Sequence, residues 1–513
     1  MRNLKRTLSL LLAAIMLIGM MVVGASAADV YDNFTDKDEI VNKDAVNLLT
    51  ILNIINGKED GSHFDPKGGV TRAEMAKMIA VVLNRGRDNN DLYKNANTGL
   101  TDIKGNWAEG NINFCYQQGI IAGRGDGRFD PTAPVTASEA AKMLLVAAGY
   151  DSSIEGYVGA NWAMNVNIRA SALGIYNNYT GDVMANLSRD DAALLIYNAL
   201  DVEMIEAYST NNYAQRFGDK RTILSTMYGV YKVKAVVTGN EWAQLEDARG
   251  QGTDVDERLA DGRTLVSKIT TYTSNTQSTV TSPSDQDTFI RDMTNNGNTT
   301  TKVFNISTPV NYLGKTVTMY IRKTTVLNDY EVLGMYLRDV DNDIVTKDAS
   351  NTTKKTLDGT GLKVDSDTRY YVNYGIRSDE AAAQAEVGWG TAKANGIDME
   401  LIDNDKDGVI DYVLYLKRDL TVVATSKDDI ILYGFNDNKT LDDEDIVTDL
   451  DLAADDVVLA VTYGGRYYVE EPEVVTGKMT AYNNDKTKEE TIDVDGTTYK
   501  PSGIGILKDT HTS

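Results

Sequence analysis

The sequence is poor in the residues on which much hydrolytic and redox chemistry depends. Cys115 is its one cysteine, and His63 and His511 are its two histidines, in a chain of 513 residues. A lone thiol forms no intramolecular disulfide, and its apolar helical surroundings give it the role of a small buried hydrophobe. Two histidines so far apart supply neither a multi-histidine zinc site nor a Ser-His-Asp triad. Positive charge is also short: 51 Lys and Arg stand against 75 Asp and Glu, a net charge of −24. Nucleic acid and anionic membrane surfaces need a basic footprint, so the chain as a whole is unsuited to both. Proline is scarce, at 7 residues, and beyond the first 27 residues no apolar run is long enough to cross a bilayer.

What is present begins with a targeting pattern. Arg2, Lys5 and Arg6 precede an apolar run from Leu8 to about Gly24, which ends on Ala25-Ser26-Ala27. These are the three parts of a secretory signal, and residues 1–27 are expected to be cleaved off. The alternative, an uncleaved anchor, is disfavoured by the short run and the small-residue exit. Cleavage leaves 48 basic and 75 acidic residues, a net charge of −27 on 486 residues. That length suffices for several cores at about 100–200 residues each.

One stretch then occurs three times. Thr71 followed by Glu74 is a capping box, with Met75, Met78, Ile79 and Val82 on one apolar stripe of the helix it opens. Thr136 and Glu139 repeat it with Ala140, Met143, Leu144 and Ala147. Ser188 and Asp191 do so with Ala192, Leu195, Ile196 and Ala199, where the shorter Asp191 caps less completely. Each copy follows a first helix and a Gly-rich turn: Asn53 to Gly57, Gly119 to Gly123, and Gly174-Ile175. Units of this size bury too little alone, so repeats over 28–88, 89–150 and 151–204 are expected to pack together.

Thr71-Arg72-Ala73-Glu74, Gly119-Ile120-Ile121-x-Gly123, Asp126-Gly127-x-Phe129-x-Pro131, Trp107-Ala108 and Trp162-Ala163 together resemble the S-layer homology (SLH) domain. The resemblance covers about the first third of the exported chain. It implies a pseudo-threefold helical module that holds exported proteins non-covalently to cell-wall polysaccharide, commonly a pyruvylated secondary polymer, at the surface of a bacterium. It marks Arg72, Arg189, Trp107, Trp162, Gly57 and Gly123 as the polysaccharide-binding candidates. The residues themselves agree. An Arg directly after a helix cap stands where unpaired amides and the macrodipole favour an anion, and its fork matches a sugar carboxylate. Each Trp offers a flat face to a sugar ring, with burial in the core as its alternative role. Each copy also departs from the pattern. Val41 stands where Trp is expected in the first, Ala137 where Arg is expected in the second, and the third lacks the Asp-Gly-x-Phe-x-Pro loop. Arg124 or Arg128 is a possible replacement for the Arg missing at Ala137, and one or two strong sites are expected.

From residue 205 to 513 the pattern turns to short Val, Ile, Tyr and Thr runs between Gly, Asn and Asp. It predicts all-β modules of sandwich or small barrel type, two or more in number. Residues 264–309 read as an insertion or a β-edge, and Val236–Gly239 and Val474–Gly477 as a weak internal duplication. Asp403, Asp405, Asp407 and Asp411, with Gly408, match the first nine positions of a calcium loop. Leu414 replaces the closing Glu, and an Asp-rich turn is the simpler reading, but four alternating carboxylates repel one another without a cation. Calcium is the expected cofactor. No pair among the many acids is singled out as a glycosidase dyad. The reading is a non-enzymatic coat component with a capacity for self-assembly. The alternative is a wall-anchored enzyme or adhesin acting on polysaccharide.

Overall fold

In the computed structural model, residues 25–26 and 30–499 are described, apart from internal stretches of which the longest are 246–258, 272–284 and 352–361. Most of the expected signal and His511 lie outside these residues.

Six of the helices in the first part form the three pairs: α1 (Lys43–Ile51), α2 (Arg72–Leu83), α3 (Glu109–Gln117), α4 (Ala137–Ala147), α5 (Trp162–Ala172) and α6 (Arg189–Leu200). The caps act as their spacing requires. Thr71 and Thr136 accept from the amides of Glu74 and Glu139, whose carboxylates accept in turn from the cap amides. At α6 the Asp191 carboxylate is too short for the cap amide and accepts from the Ser188 hydroxyl at 2.7 Å instead. Met75, Ile79, Ala140, Leu195 and Ile196 from the three stripes meet in one continuous core.

The arrangement is cyclic. α2 packs on α3, α4 on α5 and α6 on α1, so each second helix meets the first helix of the next pair. At the centre, residues just before the three caps bond in a ring: Val70 donates its amide to Leu187 (3.1 Å), Leu187 to Val135 (2.9 Å) and Val135 to Val70 (3.0 Å). The first two amides of α2 donate to Ala133 and Pro131, those of α4 to Ala185 and Val183, and those of α6 to Gly68 and Pro66. The unpaired amides expected beside Arg72 are therefore absent. Burying the loops between repeats left these donors no other partner, and a neighbouring repeat takes the place an anion would have held.

Beyond residue 204 the chain is β-rich but not purely β. β1 (Val230–Gly239), β2 (Thr264–Thr271), β3 (Thr301–Phe304), β4 (Thr316–Lys323) and β5 (Tyr330–Leu337) form an antiparallel sheet in the order β3-β2-β1-β4-β5. Residues 264–309 thus supply two strands of this sheet, and also a helix, Asp285–Met293, whose Phe289 ring stacks on Tyr231 at 4.1 Å. A second sheet contains β6 (Asp343–Asp348), β7 (Arg369–Val372), β8 (Gly375–Arg377), β9 (Asp398–Asp403) and β10 (Tyr412–Leu416), ordered β6-β9-β10-β7-β8 with β7 and β10 parallel. A parallel pair needs a crossover, and the helix Glu380–Val387 lies in the connection between β8 and β9, packed on this sheet. Tyr371, Ile402, Tyr412 and Leu414 of the second sheet share a core with Val233, Val317 and Met319 of the first. A six-stranded and a three-stranded sheet follow. Val475 lies outside the described residues and its neighbours Val474, Thr476 and Gly477 form no strand, so the weak duplication has no structural counterpart there.

Among the described residues no helix is long and apolar enough to cross a membrane.

Candidate functional site

The cyclic packing assembles each candidate site from three repeats. At the first site, Lys77 of α2 lies 5.7 Å from the centre of the Trp107 ring, which precedes α3. One turn back on α2, Glu74 attracts Arg189, the first residue of α6. Arg189 stacks over Phe64 at 5.1 Å, and its Nη2 donates to the Asn56 carbonyl at 2.6 Å, next to Gly57. Trp107 is 55% exposed, so it is a surface ring and not a core residue.

The second site repeats this one step around the ring. Lys142 of α4 lies 5.6 Å from the centre of the Trp162 ring, which is partly buried against the core. Glu139, one turn back, accepts from Arg72 Nη1 at 3.3 Å. Arg72 stacks over Phe129 at 4.5 Å, donates Nε to the Phe129 carbonyl (2.9 Å) and Nη2 to the Ala122 carbonyl (3.4 Å), next to Gly123. Burial depresses the pKa of Arg72, Arg189 and Lys142, and for Lys142 the Arg72 charge adds to the effect. In a partly dry pocket such cations bind an anion more strongly than they would in water.

Arg72 and Trp107 therefore serve different sites: Arg72 joins Trp162, and Arg189 joins Trp107. Arg124 also pairs with Glu139, at 3.0 Å, which places it in the Arg72 site. Gly57 and Gly123 are required by close approach. A Cβ on Gly57 would lie 2.0 Å from the Gly61 carbonyl, and one on Gly123 would lie 2.9 Å from the Arg128 carbonyl. Each loop is pinned from beneath by an acid: Asp36 accepts from the Phe64 and Asp65 amides, and Asp102 from those of Phe129 and Asp130.

The third place in the ring brings the three departures together. Here α6 meets α1, and the equivalents of the Lys, Trp and Arg are Leu194, Val41 and Ala137. The Ala137 carbonyl accepts from Tyr176 of the shortened loop at 3.5 Å. Lys77 and Lys142 were the functional candidates that sequence reading missed. Their signal was a lysine at one offset in two of the three capped helices, with leucine in the third.

In the acidic loop, Asp403, Asp405 and Asp411 bring carboxylate oxygens within 4.8 Å of one another. Asp407 is not among the three and accepts from the Val409 amide at 2.8 Å. Asp403 is fully buried and accepts from the amides of Lys406 and Gly408, as an Asp in a turn does. Lys268 reaches Asp411 at 2.7 Å and supplies one positive charge to the group. Burial, with the charges of Asp411 and Asp407, raises the Asp405 pKa. The three oxygens are hard ligands of the kind calcium takes.

A model of the S-layer homology domain matches residues 33–76 and 99–141. The chain is 30% identical over 212 residues to a cell surface protein of Thermoanaerobacter kivui, covering 40% of this chain and 26% of that one. It is 27% identical over 242 residues to the middle cell wall protein of Brevibacillus brevis, covering 47% and 22%. It is 31% identical over 191 residues to an amylopullulanase of Thermoanaerobacterium thermosulfurigenes, covering 34% and 10%. The chain thus spans about a quarter or less of the length of these relatives. Residues 33–76 and 99–141 are S-layer homology domains, carried by an exported protein of the bacterial cell-wall surface.

Proposed function

We propose that residues 151–204 are a third repeat of the same kind, and that the three together anchor the chain non-covalently to an acidic, pyruvylated wall polysaccharide. Residues 205–513 are then held outward as part of an S-layer or related coat. One observation carries this reading: Trp, Lys, Arg and a glycine turn, drawn from all three repeats, meet twice in matching geometry. The sequence departures of all three repeats fall in the one place where no such set is formed. An aromatic face beside a fixed cation suits a sugar that carries a carboxylate. Calcium held by Asp403, Asp405 and Asp411 belongs to the same reading, as a source of rigidity in a chain without disulfides.

The test is sedimentation of the full chain, without its first 27 residues, on purified native cell walls and on walls stripped of secondary polymer. Binding to the first and not the second is expected. Equal binding to both, or to neither, would refute the anchoring role.

The amylopullulanase relative favours a second reading, in which the β-rich region of a wall-anchored protein acts on polysaccharide. Release of reducing sugar from wall polysaccharide by the full chain would support it.

A further inference from the structure

The first helix of each pair has an outer face turned away from its partner. Counted from Val41, Trp107 and Trp162, the sixth residue on is Asn47 in α1, Asn113 in α3 and Ile168 in α5. In α1 and α3 that position is covered. Asn47 is 3% exposed and donates to the Tyr336 hydroxyl of β5 at 2.6 Å. Asn113 is 1% exposed, donates to the Tyr93 carbonyl at 3.0 Å and accepts from the Thr98 hydroxyl at 2.8 Å. Gly110, one turn earlier, leaves no room for a Cβ against the Asn90 carbonyl, so chain lies directly on this helix. In α5 the equivalent Ile168 is 63% exposed. Exposed Met164 one turn before it and exposed Ala172 one turn after it extend an apolar stripe. Ile154 joins Ile168, Ala172, Gly156 and Asn165 in lining a groove there, whose charged residues, Glu155 and Arg169, pair with each other at 2.8 Å. A clustered apolar face turned to water marks a place of docking.

A second such face lies near the far end of the described chain. Strands Met479–Asn483, Thr491–Val494 and Thr497–Tyr499 form a three-stranded antiparallel sheet. Its register sets Tyr482 opposite Ile492 and Ile492 opposite Tyr499, so the three share one face, with Met479 opposite Val494 on the same side. Alternation turns Asp493 to the other face. Met479, Tyr482, Ile492 and Tyr499 are all exposed.

Building on the coat reading, we infer that the α5 stripe of one copy receives the apolar face of this terminal sheet from a second copy. The chain itself shows the mode. At the equivalent place on α1 a sheet docks through Tyr336, which packs with Tyr320 in the core of the helices. The terminal sheet offers the same kind of face, with Tyr482 and Tyr499 on either side of Ile492. Both surfaces are exposed in one and the same chain, so neither covers the other within it. The stripe residues and the sheet residues that meet them are uncharged, so two chains of net charge −24 or below approach there without setting like charges together. Contact between unlike surfaces is heterologous and passes from copy to copy as a row or ring. It is also small. Three strands about 4.8 Å apart, up to five residues long at about 3.4 Å each, make a face of about 250 Å², against about 800 Å² per partner in a stable complex. The contact is therefore weak between free chains and forms where anchoring concentrates them on a wall.

The experiment loads native cell walls with an equal mixture of two forms of the full chain without its first 27 residues, one carrying Ile168→Cys and the other Tyr499→Cys, and treats them with a short bismaleimide. Cys115 is fully buried, so wild type supplies the background. Mass spectrometry sorts the cross-linked pairs. Pairs of unlike variants are expected in excess of their statistical share. Ile492→Asp added to the Tyr499→Cys chain, or Met164→Asp added to the Ile168→Cys chain, should abolish that excess and leave wall retention unchanged, because each sets a carboxylate in the apolar contact. The second of these lies on a helix and keeps the test decisive if the first disturbs the small sheet. Unlike pairs at their statistical share, no pairs on loaded walls, or an excess that survives Met164→Asp overturns the inference while anchoring stands. Walls that retain neither form remove the coat reading and the inference with it.

Discussion

If Arg72 ties two repeats together, its removal must cost stability before it costs binding. Arg72→Met keeps much of the apolar stem and deletes the fork. The Phe129 carbonyl, under a fully buried ring, loses its donor, at about 1–3 kcal/mol. The guanidinium also leaves the face of that ring, at about 0.5–2 kcal/mol. Glu139 keeps Arg124 and the Thr136 amide, so its charge stays compensated and adds little. The sum is about 1.5–5 kcal/mol, and a unit of this size loses about 2–4 °C of melting temperature per kcal/mol, so a fall of about 3–20 °C follows. Lys142→Met is the control: a half-exposed residue with no hydrogen bond or ion pair among the described residues, whose loss should change stability by about 0.5 kcal/mol or less. Calorimetry, read beside the helical circular dichroism signal, decides between them. An Arg72→Met melt within about 1 °C of wild type would show that the guanidinium is not a tie between the repeats.

Gly57→Ala should destabilise more than Gly123→Ala, each within about 1–3 kcal/mol, because the first meets backbone at 2.0 Å and the second at 2.9 Å; thermal melts of the two variants give the order. Cys115 is completely buried and its thiol pKa is pushed well up by burial, so a thiol reagent should leave the native chain unmodified and label it only in denaturant. Labelling of the native chain at the denatured rate would show that α3 does not pack as described. Asp405, with its native pKa raised, holds its proton longer than in the unfolded chain. Stability from this group is therefore present below the unfolded carboxylate value and lost as pH rises through the native one. Calcium binds the ionised group, so it should flatten that fall, as should Asp405→Asn. Melting curves against pH that are parallel with and without calcium would remove the ion from the loop.

Much of the helical part was legible because its signals are local. A Thr and a Glu three apart, followed by an apolar stripe, define a helix start whatever surrounds them, and all three starts lie where that spacing puts them. Asn53 stands where the other repeats have Gly119 and Gly174, and its φ of 56° matches their left-handed turn, which Asn tolerates. Strands with strong β-branched runs, such as Tyr330–Leu337 and Val457–Tyr463, were equally plain. The sites were not, because their order in space is cyclic. Arg72 lies 90 positions from Trp162, the ring whose site it shares, and much nearer in sequence to Trp107, the ring whose site it does not. The helix Glu380–Val387 was missed for a similar reason: its Ala-rich face buries Ala383 and Val387 against a sheet that closes only when β10 arrives.

The same cyclic order accounts for how the rest of the chain is attached. α2–α3 and α4–α5 carry the Lys–Trp pairs, and α6–α1 is the pair without one. It is to α1 and α6 that the first β-sheet docks. Arg338, just past β5, pairs with Asp44 of α1 at 2.9 Å and donates to the Tyr197 hydroxyl of α6. Asn47 donates to Tyr336 at 2.6 Å, and Lys232 of β1 pairs with Asp201 at the end of α6 at 3.0 Å. Tyr320 and Tyr336 lie in the same core as the helices, and Tyr197 bonds the buried Tyr320 hydroxyl. A junction with shared apolar burial and ion pairs resists hinge motion in a way that a polar linker does not. Under the proposed anchoring role, the absence of Trp, Lys and Arg from the third place is a division of labour within one pseudo-threefold frame. On that reading two helix pairs carry the candidate ligand residues, and the third holds the first β-sheet through Arg338–Asp44 and Lys232–Asp201.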